Sequence, residues 1–330
     1  MIAAARALES RRQDRLFSDP YAELLAGPDA IESSEERAKV KAEDEAAEQV
    51  TAAAEAGKTT TNTTTKTSTA TTGGRAGGGS ERRLAIRTRF CDDFFEDCTV
   101  WRGIKQIVSV GAGMDTRGLR LKASEGTKVF EVDRALVLRV KRALLSAAAA
   151  ADEVAASTAG FRERRDMFDG VGQARVVPVE ADVGAAGWEG ELLEAGFDPS
   201  APSAWILEGL TMYLDEHELV DLIRVLANLC APGSAFCATC VSAESVVRAR
   251  SSGNPLMGTW KWGSDDPQAF FEDNFPEGWE FKGVTCGTPG EFPDGADYGV
   301  GFKGKAPAYV IGYSPAAVAA ASSVGSEQEL

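Results

Sequence analysis

Residues 108–121 read Val-Ser-Val-Gly-Ala-Gly-Met-Asp-Thr-Arg-Gly-Leu-Arg-Leu, and this segment indicates the fold more clearly than any other part of the sequence. A short apolar run ends here in Gly111 and Gly113, and a helix is expected to begin near Thr116. Glycine allows the backbone to turn sharply and to approach a ligand closely. The sequence therefore predicts a buried strand, a turn that contacts a ligand, and a helix.

The chain on either side repeats this alternation of strands and helices. Apolar strands are predicted at 106–110, 128–132, 174–180, 204–207 and 234–241. Helices are predicted at 3–26, 81–98, 135–156 and 216–230. Because such alternation is typical of α/β proteins, we expect a Rossmann-like domain with a mainly parallel central sheet and helices on both faces.

Acidic residues follow three of the predicted strands. Asp133 closes the second strand, Asp182 follows the third, and Glu208 follows the fourth. Ligands of open α/β sheets bind beyond the carboxyl ends of the strands, so these carboxylates and the glycine turn should share one site. Asp133 lies 22 residues after Gly111, about where a carboxylate accepts hydrogen bonds from both ribose hydroxyls. The sequence therefore predicts an adenosine cofactor.

Two adenosine cofactors fit this pattern. A nicotinamide dinucleotide site favours a third glycine where this chain has Thr116, and Asp115 would repel a pyrophosphate. S-adenosyl-L-methionine has no phosphate, and its ammonium and sulfonium are stabilised by carboxylates. The additional acidic residues favour this methyl donor, and a NAD-dependent oxidoreductase remains the alternative.

Structural roles for the same residues also stay open. The two glycines could form a plain turn, Asp182 could only cap a helix, and Arg87 and Arg89 could be surface charges. Glu208 is flanked by apolar residues, and a carboxylate in such a place needs a partner. A purely structural role is therefore less expected for Glu208.

Composition excludes several classes of protein. The 330 residues carry a net charge of −15, whereas nucleic acid or an anionic membrane would require a concentrated basic face. No apolar run approaches the roughly 20 residues of a membrane span, and the N-terminus lacks a secretory signal. We expect a cytoplasmic protein, with organellar targeting left open, and no nucleic-acid or membrane partner. The oligomeric state is not predicted from the sequence.

Cysteine and histidine usage argues against redox and metal sites. Cys237 and Cys240 form a CxxC inside a predicted strand, whereas a redox CxxC usually opens a helix. The chain has six cysteines, which we expect to be reduced, and a zinc site at this CxxC would need more ligands, for which the chain offers a single histidine. No metal is therefore predicted.

Residues 31–80 interrupt the globular pattern. They are rich in Glu, Lys and Ala, then in Thr, then in Gly, and bury too little apolar surface to offset their ordering entropy. Four segments are expected. They are an N-terminal helical segment at 1–30, a low-complexity, disordered insertion at 31–80, an α/β domain at 81–315 and a disordered tail at 316–330.

Six segments in order resemble the leucine carboxyl methyltransferase-like family, most closely its branch that includes polyketide O-methyltransferase-like proteins. The segments are 6–22, 86–95, 108–121, 129–133, 195–214 and 231–234. The resemblance implies an S-adenosyl-L-methionine-dependent methyltransferase of Rossmann-like fold. Relatives place a helical lid in the region between residues 20 and 86, where this chain is of low complexity.

The resemblance also implies roles for matched residues. One arginine, Arg87 or Arg89, should bind the methionine carboxylate, and Asp133 should hold the ribose. Asp182 and Val183 should lie beside adenine. The full set of candidate donor-binding residues is Arg87, Arg89, Gly111, Gly113, Asp115, Asp133, Asp182, Val183 and Glu208.

The methyl acceptor is not specified by the sequence and could be a small molecule or a protein C-terminus. A carboxylate acceptor needs no general base, whereas a hydroxyl does. The only histidine, His217, is expected on the surface, which favours a carboxylate. Tyr213 is the candidate catalytic residue facing the acceptor, or else a core aromatic, and residues 258–262 either line the pocket or pack. A non-catalytic relative that binds the donor is a further alternative.

Overall fold

The computed structural model describes residues 2–37, 39–40, 43, 79–159, 174–255, 257–284 and 308–315. The strands lie where apolar runs were predicted, and two more follow. They are β1 (Gln106–Val110), β2 (Lys128–Asp133), β3 (Arg175–Glu180), β4 (Ser203–Leu207), β5 (Ala235–Thr239), β6 (Glu280–Val284) and β7 (Tyr309–Tyr313). Their order in the sheet is β3-β2-β1-β4-β5-β7-β6.

Five neighbouring strands are parallel, and β7 is antiparallel to both β5 and β6. Strands β1, β4 and β5 are buried along their whole length, which explains why their sequences are mainly apolar. The prediction of a Rossmann-like α/β fold with a mainly parallel sheet is confirmed.

Helices cover both faces of the sheet. They are α1 (Ile2–Ser10), α2 (Ala22–Ala26), α3 (Gly79–Glu96), α4 (Arg117–Arg120), α5 (Ala135–Ala159), α6 (Glu189–Glu194), α7 (Glu216–Leu229), α8 (Ala243–Ser251) and α9 (Pro267–Asn274). A π-helical turn, Asp97–Trp101, continues α3, and 3-10 turns lie at Thr211–Tyr213 and Met257–Thr259.

The alternation of side chains along the strands produces two apolar cores. Val108, Phe130 and Trp205 face α7 and α9 on one side of the sheet. Ile107 and Ile206 face α3 on the other side. Successive residues of a strand point to opposite faces, so each buried strand supplies both cores.

The predicted helix over 3–26 is wrong, because the chain forms two helices there, α1 and α2, with a loop between them. Side chains satisfy backbone groups in this loop. Glu9 accepts from the Leu16 N–H at 2.8 Å, and Ser10 Oγ accepts from the Asp19 N–H at 2.8 Å. Pro20 has no N–H to donate, which also disfavours a continuous helix.

A helical stretch at 28–37 extends beyond residue 30, where the insertion was predicted to begin. Its Ile31 is buried against Ala4, Ala7 and Ala22 of the N-terminal helices. Most of the predicted insertion and the predicted tail at 316–330 lie outside the described residues. Within the described ranges, no helix has the length and apolar character needed to cross a bilayer.

Candidate functional site

The glycine turn lies between β1 and α4 and touches two neighbouring elements. Gly111 and Gly113 have φ angles of 68° and 52°, a conformation that favours glycine. The Gly111 N–H donates to the Val132 carbonyl at 2.9 Å, which fastens the turn to β2. A Cβ on Gly111 would lie 3.0 Å from Leu210 Cδ1, so the turn also packs closely on the loop after β4.

Asp133 lies at the carboxyl end of β2, where the sequence placed it. Its Oδ2 accepts a hydrogen bond from the Gly113 N–H at 2.7 Å, and its Oδ1 accepts one from the Arg134 N–H at 2.7 Å. The residue is half-buried. The carboxylate is therefore brought against the glycine turn, as an adenosine site requires.

Glu208 joins the same edge of the sheet from the end of β4. It forms ion pairs with Arg87 Nε at 2.9 Å and with Arg117 Nη2 at 2.6 Å. Burial acts to raise the pKa of Glu208, but Arg117 and then Arg87 outweigh it and lower the pKa. Glu208 is thus an ionised carboxylate, 12% exposed, with the partner that its apolar flanks required.

The two candidate arginines of α3 diverge. Arg87 reaches Glu208, and its Nη1 lies 3.1 Å from where a Cβ of Gly209 would stand. Arg89 instead pairs with Asp93 at 2.7 Å and donates to the Leu16 carbonyl at 3.2 Å. Residues two apart on a helix face nearly opposite sides, so only one arginine can face the turn. Arg87 is the one that faces the turn.

Asp115 is buried beneath the turn. Its Oδ1 accepts from the Arg117 N–H at 2.9 Å, and its Oδ2 accepts from Ser109 Oγ at 3.0 Å. Burial would raise the pKa of Asp115, but the Arg117 guanidinium and other cations lower it well below its usual range. These contacts support the turn from inside and do not support the predicted contact with a ligand.

Asp182 and Val183 follow β3 as predicted. Asp182 is exposed, and its Oδ1 accepts from the Gly184 N–H at 3.1 Å, which stabilises the local turn. Val183 is half-buried against the core. Asp182 therefore stabilises a local turn and does not cap a helix, the structural alternative that the sequence left open, and contact with adenine remains a prediction for both residues.

A buried ion cluster that the sequence analysis missed lies under the turn. Asp92 of α3 pairs with Arg117 at 2.8 Å and with Arg120 at 2.6 Å. Arg6 and Asp19 of the N-terminal segment pair at 2.9 Å, and Asp19 lies 3.9 Å from Arg120. The members are Arg6, Asp19, Arg87, Asp92, Asp115, Arg117, Arg120 and Glu208. The sequence signal that could have indicated this cluster is the pair Arg117 and Arg120, three residues apart just after the turn.

Tyr213 lies on the 3-10 turn that follows Glu208, and it is half-buried. The Met212 carbonyl accepts from the Lys261 N–H at 2.6 Å, so residues 257–262 adjoin this turn. Trp262 is buried and packs on Phe270 with ring centroids 4.8 Å apart. Packing therefore explains Trp262, whereas the buried indole N–H of Trp260 has no hydrogen-bond partner among the described residues.

Histidine and cysteine lie as the sequence predicted. The His217 side chain is 85% exposed and faces Asp221 on α7. Cys237 lies in β5 and Cys240 just after it, both buried as free thiols, and burial raises the pKa of Cys240. In the part of the chain that the structure describes, potential metal ligands do not gather in groups of three or more.

Comparison with known proteins gives a family match. The family model of leucine carboxyl methyltransferases matches residues 1–227. A protein of Mycolicibacterium smegmatis with the provisional name S-adenosyl-L-methionine-dependent methyltransferase is 32% identical over 71% of this chain and 59% of its own length. A protein of Streptomyces coelicolor with the same provisional name is 30% identical over 87% of this chain and 82% of its own. The chain thus spans less than two thirds of the first relative.

Solved structures are more distant. A DUF574 family protein from Streptomyces avermitilis has a TM-score of 0.46 and 15% identity, covering 74% of this chain and 94% of its own. A protein from Thermobifida fusca that carries a provisional methyltransferase name has a TM-score of 0.40 and 18% identity, covering 72% of this chain and 83% of its own.

Proposed function

Since the chain belongs to the leucine carboxyl methyltransferase family, we propose that it is an S-adenosyl-L-methionine-dependent O-methyltransferase. The observation that carries the proposal is the Arg87–Glu208 ion pair beside the glycine turn, at 2.9 Å. A cation and an anion side by side match the carboxylate and the ammonium of a methionine. A nicotinamide-dependent oxidoreductase is not favoured, because Thr116 stands in the place of the third glycine.

The residues at this edge of the sheet fit the methyl donor. S-adenosyl-L-methionine supplies a methyl group on a positively charged sulfur, which is already a good leaving group. Arg87 would bind the carboxylate, Glu208 the ammonium, and Asp133 the ribose hydroxyls. Gly111 would keep the turn in its observed shape beside the donor, since a Cβ there would lie 3.0 Å from Leu210 Cδ1 and would displace that side chain or the turn.

Glu208 contributes through its charge as well as its position. The lowered pKa keeps it ionised at neutral pH, so it can hold an ammonium without first losing a proton. Arg117 stays on the other side of Glu208, at 2.6 Å, and keeps the carboxylate in place if Arg87 moves toward a ligand. The chain's main task is then to align the acceptor oxygen with the methyl group, and such positioning supplies a large part of many enzymatic rates.

We propose a carboxylate as the acceptor, on a small molecule or a protein C-terminus. The only histidine of the chain, His217, is 85% exposed and is thus a poor general base for a buried hydroxyl. A carboxylate is ionised at neutral pH and needs no base. Tyr213 is the candidate to contact the acceptor, because it follows Glu208 on a turn that is fixed to residues 257–262.

Calorimetric titration of the full chain with S-adenosyl-L-methionine tests the donor site. We expect one-to-one binding that Asp133→Ala weakens about tenfold or more, the effect of losing hydrogen bonds to a charged group. Asp221→Ala, on the exposed face of α7, is the matched control and should bind like the parent. A folded parent that binds NADH and not S-adenosyl-L-methionine would refute the proposal.

The class of acceptor is tested by the chemistry of the product. The protein is incubated with the methyl-labelled donor and with a panel of small carboxylic acids, peptides with free C-termini, and phenols. Methyl esters release labelled methanol in mild base, whereas methyl ethers do not. Base-labile label is expected, and label that is entirely base-stable would refute a carboxylate as the acceptor.

A further inference from the structure

We propose that Arg6, Asp19 and Thr116 form an N-terminal clamp that positions the glycine turn for donor binding. The N-terminal segment would then support the donor site from outside. This inference rests on the proposed function. It goes further because it assigns a positioning role to residues that need not touch the donor.

Two contacts join the N-terminal segment to the turn, one on either side of Asp115. Arg6 Nη2 donates to the Met114 carbonyl. Thr116 Oγ1 donates to Asp19 Oδ2 at 2.7 Å. Arg6 Nε donates to the same Asp19 oxygen at 2.9 Å, so the two contacts brace one another.

The clamp is buried and charged. Arg6, Asp19 and Thr116 are each less than a tenth exposed, so water does not replace their contacts. Breaking a buried ion pair leaves an uncompensated charge and is strongly unfavourable. The contact between Arg6 and Asp19 therefore resists disruption. The turn is fixed by these contacts more firmly than an exposed loop would be.

The turn needs this external support because the helix that follows it is short. Helix α4 has four residues, Arg117–Arg120, and a single turn of helix has little stability of its own. Arg120 Nε donates to Thr116 Oγ1 at 3.1 Å and links the clamp to α4. Gly113, whose N–H binds Asp133, lies only three residues before Thr116.

The clamp is continuous with the residues that we assign to the donor. Arg120 binds Asp92, Asp92 binds Arg117 at 2.8 Å, and Arg117 binds Glu208 at 2.6 Å. A displacement of the N-terminal segment would therefore change both ends of the donor site, the turn and the carboxylate after β4.

Matched substitutions at Thr116 test the clamp. Thr116→Val keeps the shape and removes the hydroxyl that joins Asp19 to Arg120, whereas Thr116→Ser keeps the hydroxyl. In calorimetric titration with S-adenosyl-L-methionine we expect about tenfold weaker binding for Thr116→Val and for Asp19→Asn, the effect of one lost charged hydrogen bond. Thr116→Ser should bind like the parent.

Two controls separate positioning from stability. Arg11→Gln removes exposed ion pairs with Glu23 and Glu35 on the same segment and should leave donor binding unchanged. Amide hydrogen exchange of residues 111–116, measured far below each melting temperature, should be faster in Thr116→Val and unchanged in Thr116→Ser. A merely structural role would lower the melting temperature without a selective change at these amides.

The outcomes are distinct. Parent-like binding and exchange in a folded Thr116→Val would overturn the clamp. A parent that fails to bind S-adenosyl-L-methionine would overturn the proposed function. The amide exchange of residues 111–116 alone would then show whether the clamp positions the turn. Weaker binding together with faster exchange in Thr116→Val, restored by Thr116→Ser, would establish the clamp.

Discussion

Gly111 is the residue on which the shape of the glycine turn depends most. Its φ of 68° disfavours any side chain, and an added Cβ would press on Leu210 at 3.0 Å. Gly126 has a similar φ of 81° with open space around it, far from the turn in the loop before β2. Alanine substitutions at Gly111 and Gly126 therefore separate the effect of backbone strain from the effect of the contact with Leu210.

We expect Gly111→Ala and Gly126→Ala each to destabilise the fold by about 1 kcal/mol through backbone strain. Only Gly111→Ala should also weaken S-adenosyl-L-methionine binding, because its methyl group would press on Leu210 and shift the turn. Urea unfolding and calorimetric titration measure the two effects. Equal donor affinities for the two variants would contradict this account of the turn.

Glu131 of β2 forms a buried ion pair with Lys141 of α5 at 2.7 Å. Its Oε1 has no hydrogen-bond partner among the described residues. Burial, opposed by Lys141 and aided by Asp115 and Asp133, raises the pKa of Glu131 from 4.5 to about 6. The folded state thus binds the proton of this carboxyl more tightly than the unfolded state does.

The protonated Glu131 contributes to the free energy of unfolding fully below about pH 4.5, and this contribution is lost as the pH rises through about 6. The loss corresponds to about 2 kcal/mol. Glu131→Gln cannot titrate, so the free energy of unfolding of the parent relative to this variant should fall by that amount across this window. Urea unfolding at a series of pH values measures it, and a constant difference would refute the raised pKa.

Sequence reasoning found the site residues that follow strands. Gly111, Asp133 and Glu208 were predictable because residue type and position in an α/β sheet together indicate their chemistry. Asp92 and Arg120 were not, because they meet across 28 positions of sequence and each resembles an ordinary surface charge on a helix. Only packing reveals that both are buried.

At the scale of elements, prediction succeeded where an apolar run is continuous. Strands β1, β2, β3, β4 and β5 were predicted within about two residues, the usual uncertainty at strand ends. Strand β6 was missed, since its exposed Glu280 and Lys282 alternate with buried Phe281 in a weak, edge-strand pattern. Strand β7 was missed as well, and it contains Gly312, which lowers strand propensity.

Gly312 has a packing role that explains its presence in β7. A Cβ there would clash with the ring of Phe281, its neighbour on β6. Phe281 in turn packs on Phe236, with ring centroids 6.2 Å apart, and belongs to an aromatic group under the antiparallel part of the sheet. The glycine leaves the space that this ring occupies.

Gly312→Ala should therefore destabilise the fold by about 2 kcal/mol or more, because overpacking displaces a buried ring. Gly190→Ala, in α6 with open space around it, should be neutral or stabilising, since alanine favours helix. Thermal unfolding of the two variants measures the contrast. Equal melting temperatures would show that Phe281 has other room to move.

At the scale of the whole molecule, charge is distributed unevenly. The chain carries a net charge of −15, yet the buried ion cluster contains four arginines and four carboxylates. Buried charge is stabilised when it is paired, and the cluster, with equal numbers of the two charges, is neutral, so the acidic excess of the chain lies outside it. The cluster joins the N-terminal segment, α3, the glycine turn and the end of β4 into one unit.

A double-mutant cycle between Asp92 and Arg120 tests whether the cluster acts as this unit. Arg120→Met alone leaves Asp92 short of one cation and should cost about 3 kcal/mol or more, the effect of breaking a buried pair. Asp92→Leu alone should be similarly costly. The double variant restores a balance of three arginines and three carboxylates, so it should be more stable than the sum of the two losses predicts, with a coupling above about 1 kcal/mol.

The exposed pair Arg142–Glu180, at 2.7 Å, is the matched control. Its side chains are 52% and 40% exposed, so solvent screens the pair and the coupling between Arg142→Ala and Glu180→Ala should stay below about 1 kcal/mol. Urea unfolding measures both cycles under the same conditions. If the buried pair proved as nearly additive as the exposed pair, its charges would be independently solvated, and the N-terminal segment could not be linked to the donor site through them.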